Sequence, residues 1–327
     1  MTSLAIRTTA VLAALVFALG VQNAHAQAYP AKPVKMIVPY PPGGGTDSVA
    51  RNIAQRLSDA WHQPVVVENR PGAGTTIGAE AVAKSPADGY TLLFSDTATF
   101  LINPYLYSKL SYDPLKDFAP ITIATRLAPV LAVANAVPVK NMRELLAYAK
   151  SNPGKLTYAS PGNGSYPHIA MEALKKQAGL DLIHVPYKGS SPAMADLLAG
   201  RVSMYMVTYS VFDKLEQAGK LKVVASATPK RLSVRPDLPT ISESGVPGYT
   251  VNVWFGMAAP AGTPDAILDK VHADVVRILR SDEFEEKVLK PQALERGGMS
   301  RAEFLDELKQ ESVRWGELVR NSGAKLD

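Results

Sequence analysis

Val34-Lys35-Met36-Ile37-Val38-Pro39-Tyr40-Pro41-Pro42-Gly43-Gly44-Gly45-Thr46-Asp47 is the stretch from which the fold of this chain is read. Val34 to Val38 is a run of strand-forming residues. From Thr46 to Trp61, Val49, Ile53, Leu57 and Trp61 then recur at helical spacing. A strand feeding a helix through a short loop opens an α/β unit. Three consecutive glycines strip every Cβ from one face of the turn, so an anion can approach the backbone closely. Thr46 or Asp47 is expected to cap the helix, whose N-terminus carries a partial positive charge. The loop has two readings: an anion cradle, or a tight strand-to-helix turn with no ligand. It is not a P-loop, because no Lys follows, and it lacks the GxGxxG spacing.

Working outward, strand-like and helix-like segments keep alternating. Val65–Val67 is a strand, Ile77–Ala83 a helix, Tyr90–Phe94 a strand, and Ile121–Ala124 another. A second unit begins at Val130–Ala134. Asn141 caps a helix to Lys150, Lys155–Ala159 is a strand, and Tyr166–Ala178 a helix. Leu182–Val185, Val202–Val207 and Val223–Ala227 are strands, with a helix over Pro192–Ala199. After Val251–Ala258 the chain is helical, over Pro264–Arg280, Glu283–Leu289 and Ser300–Ser322. Two α/β units and a helical block predict two lobes joined by crossing strands near Thr122–Arg126 and Asn252–Met257. In open α/β sheets ligands bind beyond the carboxyl ends of the strands, so two such lobes would face each other across a hinged cleft.

The loops at those strand ends are the candidate site. Ser95-Asp96-Thr97 follows the third strand and offers hydroxyls beside the glycine loop, or a further helix cap. Arg70 reads either as a ligand contact or as a structural partner of Glu68 or Asp96. Gly164-Ser165-Tyr166-Pro167-His168 repeats the design of strand, Gly-containing turn and helix start. Ser165 and the amides after it can hold a second carboxylate. His168 is either a helix-start residue packed near the hinge or a catalytic base. Tyr187-Lys188-Gly189-Ser190-Ser191 and Val207-Thr208-Tyr209-Ser210 also end strands and are expected to face the first lobe across the cleft.

The N-terminus bears on location. Arg7 precedes an uncharged, mostly apolar stretch from Thr8 to Val21, and Ala24-His25-Ala26 places small residues at −3 and −1. That is the pattern of a secretory signal peptide cleaved after Ala26. The apolar run of 14 residues is shorter than the roughly 20 needed to span a bilayer. The chain of 327 residues less its first 26 leaves 301, enough for two domains. With no Cys, there is no disulfide, thiol nucleophile or Cys-ligated metal. The net charge of +5 is spread over dispersed Lys and Arg, a solvated surface with no nucleic-acid patch.

Catalytic patterns are sparse. There is no GxSxG, and the five His form no HExxH or other metal-ligand spacing. Ser165 and His168 stand three residues apart on a helix, a spacing that orients a nucleophile and base poorly. A hydrolase using Ser165 is the rival from another class.

Together these residues carry a family resemblance. Tyr29-Pro30, Ile37 through Asp47, Val67-Glu68-Asn69-Arg70-Pro71-Gly72-Ala73-Gly74, Asn103-Pro104, and Tyr187-Lys188-Gly189-Ser190-Ser191-Pro192 through Gly200 all match in order. So do Arg235-Pro236-Asp237-Leu238-Pro239-Thr240, Gly248-Tyr249 and Ala259 through Pro264. Across essentially the whole mature chain this resembles the Bug proteins, solute receptors of tripartite tricarboxylate transporters. The resemblance implies a two-lobe periplasmic binding protein of the Venus-flytrap, type II-like kind, with a mixed sheet flanked by helices in each lobe. Lobe 1 would be 27–125 with 255–327, and lobe 2 would be 126–254. It implies a carboxylate ligand held by Tyr40, Pro42, Gly43, Gly44, Thr46 and Asp47, by Ser95, Asp96 and Thr97, by Gly164, Ser165, Tyr166 and His168, and by Tyr187, Val207 and Thr208. It further implies a periplasmic monomer, no cofactor or metal, and two partners, a small and a large integral-membrane subunit. A sensory partner instead of a transporter would need the same cleft.

One departure stands out. Where family members commonly carry Asp in a Gly-Gln-Val-Asp stretch and an acidic or amide pair soon after, this chain reads Gly200-Arg201-Val202-Ser203-Met204-Tyr205-Met206-Val207-Thr208. Val207 accepts no hydrogen bond from an ammonium group, which disfavours an amino-acid ligand. With Tyr40, Phe100, Tyr166 and Tyr209 expected nearby, the ligand reads as an aromatic or apolar carboxylate, or a dicarboxylate. The alternative is that these aromatics pack the hinge.

Overall fold

The structure, a computed structural model, describes residues 29–326; the expected export signal lies outside the described residues. Eleven strands among these residues form two sheets. The first contains β1 (Val34–Val38), β2 (Val65–Asn69), β3 (Thr91–Asp96), β4 (Phe118–Arg126), β10 (Trp254–Pro260) and β11 (Glu295–Arg296). The second contains β5 (Pro129–Ala134), β6 (Leu156–Ser160), β7 (Leu182–Pro186), β8 (Met204–Thr208) and β9 (Leu221–Ser226). The helices in chain order are α1 (Gly45–Trp61), α2 (Thr76–Ala83), α3 (Asn103–Leu106), α4 (Met142–Ser151), α5 (Tyr166–Ala178), α6 (Ser190–Leu198), α7 (Tyr209–Gln217), α8 (Asp265–Leu279) and α9 (Arg301–Ser322). Short helical turns lie at Asp282–Phe284, Glu285–Leu289 and Lys290–Gln292.

The two sheets share one plan. The first runs β11-β4-β10-β3-β1-β2 and the second β7-β6-β8-β5-β9. In each, three parallel strands (β2-β1-β3 and β7-β6-β8) meet one antiparallel strand that arrives from the other lobe, β10 or β5. The chain crosses between lobes after β4 and again before β10. There the Leu127 amide donates to Val253 O at 2.9 Å, so the crossings run side by side. The expected hinge thus falls where the two strands exchange sheets. Arg126 donates to both carboxylate oxygens of Glu307 on α9 and to Asn252 Oδ1, which ties both crossings to one helix.

Alternation along β1 explains its burial. Val34, Met36 and Val38 face a cluster with Val49, Ile53 and Leu57 of α1 and Leu268, Val271 and Val275 of α8, while Ile37 faces the opposite layer. Each such side chain contributes roughly 1.5–3 kcal/mol on full burial. At Gly78 a Cβ would come within 2.7 Å of Pro39 Cβ, so only glycine lets α2 lie this close to the loop after β1. On the hinge side α9 packs against α5, and one apolar cluster runs from Phe100, Trp254 and Phe304 to Met171 and Leu174. Phe100, expected beside the ligand, is 2 % exposed and packs on Phe118, Trp254 and Phe304 instead. No helix among the described residues is long and apolar enough to cross a membrane.

Candidate functional site

The carboxyl ends of β1, β3, β6 and β8 face one another across a cavity of about 410 Å³. Four helices begin at its wall: α1 supplies Gly45 and Thr46, α5 Tyr166 and Pro167, α6 Ser190, and α7 Ser210 and Val211. The first amides of a helix have no intrahelical partner, and the helix dipole makes that end partially positive. None of these four N-termini carries a side-chain cap, although Ser165 and Thr208 hold two of the capping positions. Away from the cavity, Asn141 caps α4 and a Ser300–Glu303 capping box closes α9. Among the described residues no Lys, Arg or His side chain lines the cavity. Any pull on an anion here therefore comes from backbone amides and hydroxyls.

The glycine loop starts the helix earlier than its polar residues suggested. Gly44, not Thr46 or Asp47, is the residue before the first helical turn, with φ −79° and ψ 172°. Asp47 sits in the first turn and is buried. Its Oδ2 accepts from the Gly43 amide and Arg51 Nε, both at 2.9 Å, and its Oδ1 accepts from Asn69 Nδ2 at 2.8 Å. Burial works to raise its pKa, but these donors outweigh it and hold the carboxyl below its ordinary range. Asp47 thus fixes the loop, while Thr46, nearly buried, faces the cavity. Pro42, Gly43 and Gly44 lie just outside the lining.

Tyr40 and Asp96 line the cavity floor as a pair, the Tyr40 hydroxyl donating to Asp96 Oδ2 at 2.6 Å. Asp96 Oδ1 also accepts from the Ala98 amide at 3.1 Å. Burial pushes the Asp96 carboxyl up against these bonds, and it pushes the Tyr40 phenol well up too. Because the Tyr40 proton is committed to Asp96, Tyr40 offers a ligand its ring rather than a donor. Ser95 and Thr97 are buried behind them: Ser95 Oγ bonds Thr99 Oγ1 at 2.5 Å, and Thr97 Oγ1 accepts from the Trp254 amide at 3.0 Å.

On the second lobe Ser165, Tyr166, Val207 and Thr208 line the cavity. Ser165 Oγ donates to Gly162 O at 2.6 Å, so the amides of α5 rather than that hydroxyl are free to donate. Pro167 removes one of those amides. His168 and Gly164 stand behind the wall, the Gly164 amide donating to His168 Nδ1 at 3.1 Å. Gly164 has φ +77°, and a Cβ there would meet Leu106 Cδ2 at 2.4 Å. The positive φ favours glycine here, and any larger residue would also have to displace the Leu106 side chain. Tyr187 donates to Asp196 Oδ2 at 2.7 Å and Tyr209 to Asp213 Oδ1 at 3.1 Å; neither lines the cavity. Arg70 is paired with Glu68 at 2.6 Å, the structural alternative.

Residues 49–324 match the family described as "Tripartite tricarboxylate transporter family receptor". The chain belongs to this receptor family. It is 36% identical over 313 residues to the "UPF0065 protein in tcbD-tcbE intergenic region" of Pseudomonas sp. (strain P51), covering 94% of this chain and 93% of that protein. A solved R. palustris protein, Rpa4515 with adipate, is 36% identical with a TM-score of 0.81, over 91% of this chain and 100% of that one. MatC from Rhodopseudomonas palustris with bound malate is 31% identical with a TM-score of 0.75, over 89% and 100%. The receptor family accounts for the two lobes and for a solute cavity between them.

Several cavity residues of this receptor are not among those the sequence points to: Phe255, Leu127, Gln292, Leu294 and Val211. Phe255 takes the place expected of Phe100, its ring 3.6 Å from where a Cβ on Gly45 would stand. The hydrolase arrangement is not assembled, because Ser165 and His168 bond Gly162 O and the Gly164 amide rather than each other. The serine that does meet an imidazole is Ser160, 2.7 Å from His184 Nε2 and fully buried. His184 stacks on His168, ring centroids 4.0 Å apart, and burial together with the His168 charge lowers its pKa to about 4. Among the described residues no group of three or more His, Asp or Glu is placed to hold a metal ion.

Proposed function

We propose that this receptor binds a small carboxylate in the interlobe cavity and passes the loaded form to a tripartite transporter. The observation that carries this reading is the convergence of four uncapped helix N-termini on a cavity that no cationic side chain lines among the described residues. One carboxylate is held by the Gly45 and Thr46 amides of α1, with the amides opening α5 and α7 facing it. Hydrogen bonds to a charged acceptor contribute roughly 1.5–3 kcal/mol each, so three or four support micromolar binding after association costs. The rest of the lining is largely apolar: Tyr40, Leu127, Tyr166, Val207, Phe255 and Leu294. An acid with an apolar or aromatic body, or a dicarboxylate, suits that lining, in keeping with the adipate and malate found in the two R. palustris relatives.

The remaining parts follow the same reading. Residues 1–26 are removed after Ala26 on export, and the mature protein works in the periplasm as a monomer. Lobe 1 comprises 27–125 and 255–327, and lobe 2 comprises 126–254. Ligand binding shifts the population toward the closed form that a small and a large membrane subunit recognise. The protein binds its ligand without turning it over.

A thermal-shift screen of the mature protein tests this reading, with dicarboxylates, tricarboxylates, acidic amino acids and aromatic acids in the panel. A ligand at about 100 times its dissociation constant adds about 2.7 kcal/mol of stability, a plain shift in Tm. Stabilisation by an aromatic acid or dicarboxylate is expected. Stabilisation by amino acids alone would contradict the ligand class, and a Tm unmoved by every acid would contradict carboxylate capture.

A further inference from the structure

We propose that Gln292 is a specificity-determining residue of this receptor, its side-chain amide reading a second oxygen function of the ligand beside the carboxylate held at the helix ends. The inference rests on the carboxylate reading above.

Gln292 reaches the cavity from a part of the chain remote in sequence from every strand-end loop. It closes the short turn Lys290–Gln292, and the following residue, Ala293, has φ +48°, a left-handed conformation that non-glycine residues rarely adopt. That bend puts Gln292 and Leu294 on the cavity wall while Ala293 is buried among Val207, Phe212 and Leu232 of the second lobe. Two residues further on, β11 pairs Glu295 with Arg126 of β4, so the tip is anchored to a hinge strand. A strained backbone held from both sides is a costly way to build a loop, and here its product is the placement of two cavity side chains.

The chemistry of the lining makes Gln292 distinctive. Among the described residues it is the one side-chain amide that lines the cavity; the other polar side chains there are hydroxyls and Asp96. A glutamine amide offers two N–H donors and a carbonyl acceptor. Its Nε2 reaches Ser48 Oγ at 3.5 Å, the outer edge of hydrogen-bonding distance, which leaves donor and acceptor capacity for a solute. A carboxylate or carbonyl oxygen takes the N–H donors, a hydroxyl the carbonyl, and a methyl terminus takes neither. Gln292 therefore favours an acid bearing a second oxygen function over the same acid without one.

The experiment is calorimetric titration of wild-type, Gln292→Leu and Gln292→Glu proteins with two pairs, adipate with hexanoate and terephthalate with benzoate. Far-UV circular dichroism and Tm establish that each variant is folded. Wild type is expected to bind the dicarboxylate of at least one pair more tightly than its monocarboxylate. That ratio falls about tenfold or more in Gln292→Leu, the loss of one bond to a charged acceptor. It falls further in Gln292→Glu, where like charges oppose. Ratios unmoved in both variants, or no wild-type preference, overturn the inference and leave the receptor reading standing. Wild type binding none of the four acids overturns this inference, and a Tm also unmoved across the wider acid panel removes the carboxylate reading with it.

Discussion

Gly44→Asp separates folding from binding at the glycine loop. Gly44 has an ordinary extended conformation, and a Cβ built on it meets nothing within 4 Å, so the substitution costs neither strain nor contact. It stands at the capping position of α1, where no side chain now caps the helix. Asp is a favoured residue there and adds about 1 kcal/mol by accepting from the first-turn amides. The Thr46 amide, one of those a cap at this position reaches, is assigned to the ligand. The new carboxylate competes for it and also opposes the ligand's charge, costing about 3–4 kcal/mol at roughly 4–5 Å with an effective dielectric near 20. Affinity for the carboxylate is expected to fall by two to three orders of magnitude while Tm holds or rises. Gly44→Asn caps the helix without charge, so its smaller loss isolates competition for the amides from repulsion. Calorimetric titration and a melting curve on each variant give both readouts. Wild-type affinity in a folded Gly44→Asp protein would refute the placement of the carboxylate at α1.

Other outcomes follow from the same structure. Val207→Asp puts an acid in the wall, and affinity for acids lacking an ammonium group should drop at least tenfold in titrations, since charge repulsion at this range exceeds 1.4 kcal/mol. His184 is held neutral in the fold, with a pKa near 4 against an ordinary value of about 6.5. The unfolded chain therefore binds more protons between these values, and stability falls as pH drops from about 6.5 to 4. His184→Phe keeps the stacking and should flatten that slope in Tm measured against pH. Asp47 is shifted in the same direction: its depressed pKa stabilises the fold above about pH 4, and that contribution is lost as pH falls further. Arg126→Met leaves Glu307 half-buried without its bidentate partner and should cost about 2–3 kcal/mol in denaturant unfolding, below the 3–5 for a fully buried pair.

How much of this was legible in sequence depended on whether the signal was local. The strand of Val34–Val38, the apolar stripe of α1 and the Asn141 cap are written in consecutive residues, and each appears in the structure close to its expected bounds. The switch of β10 and β5 between sheets was read only as crossing strands, because pairing partners far apart in sequence leave no local trace. Loops at strand ends were legible as cavity candidates for the same topological reason. Tyr40, Thr46, Asp96, Ser165, Tyr166, Val207 and Thr208 are all brought to the lining.

Side-chain direction was not legible. Phe100 and Phe255 are both apolar rings near strand ends. Only packing decides that Phe100 enters a cluster with Trp254 while Phe255 borders the cavity. Asp47 resembles a ligand-facing polar residue until Arg51, Asn69 and the Gly43 amide claim its oxygens. Gln292 lay beyond reach because its position depends on a left-handed Ala293, which composition gives no reason to expect.

The most direct test is a crystal structure of the mature protein with the strongest stabilising acid from the thermal-shift panel. The account predicts the acid between the lobes, one carboxylate oxygen about 2.7–3.0 Å from the Gly45 or Thr46 amide and the body against Tyr40, Tyr166 and Phe255. A ligand outside the cavity, or one inside it with its carboxylate turned away from every helix N-terminus, would contradict it.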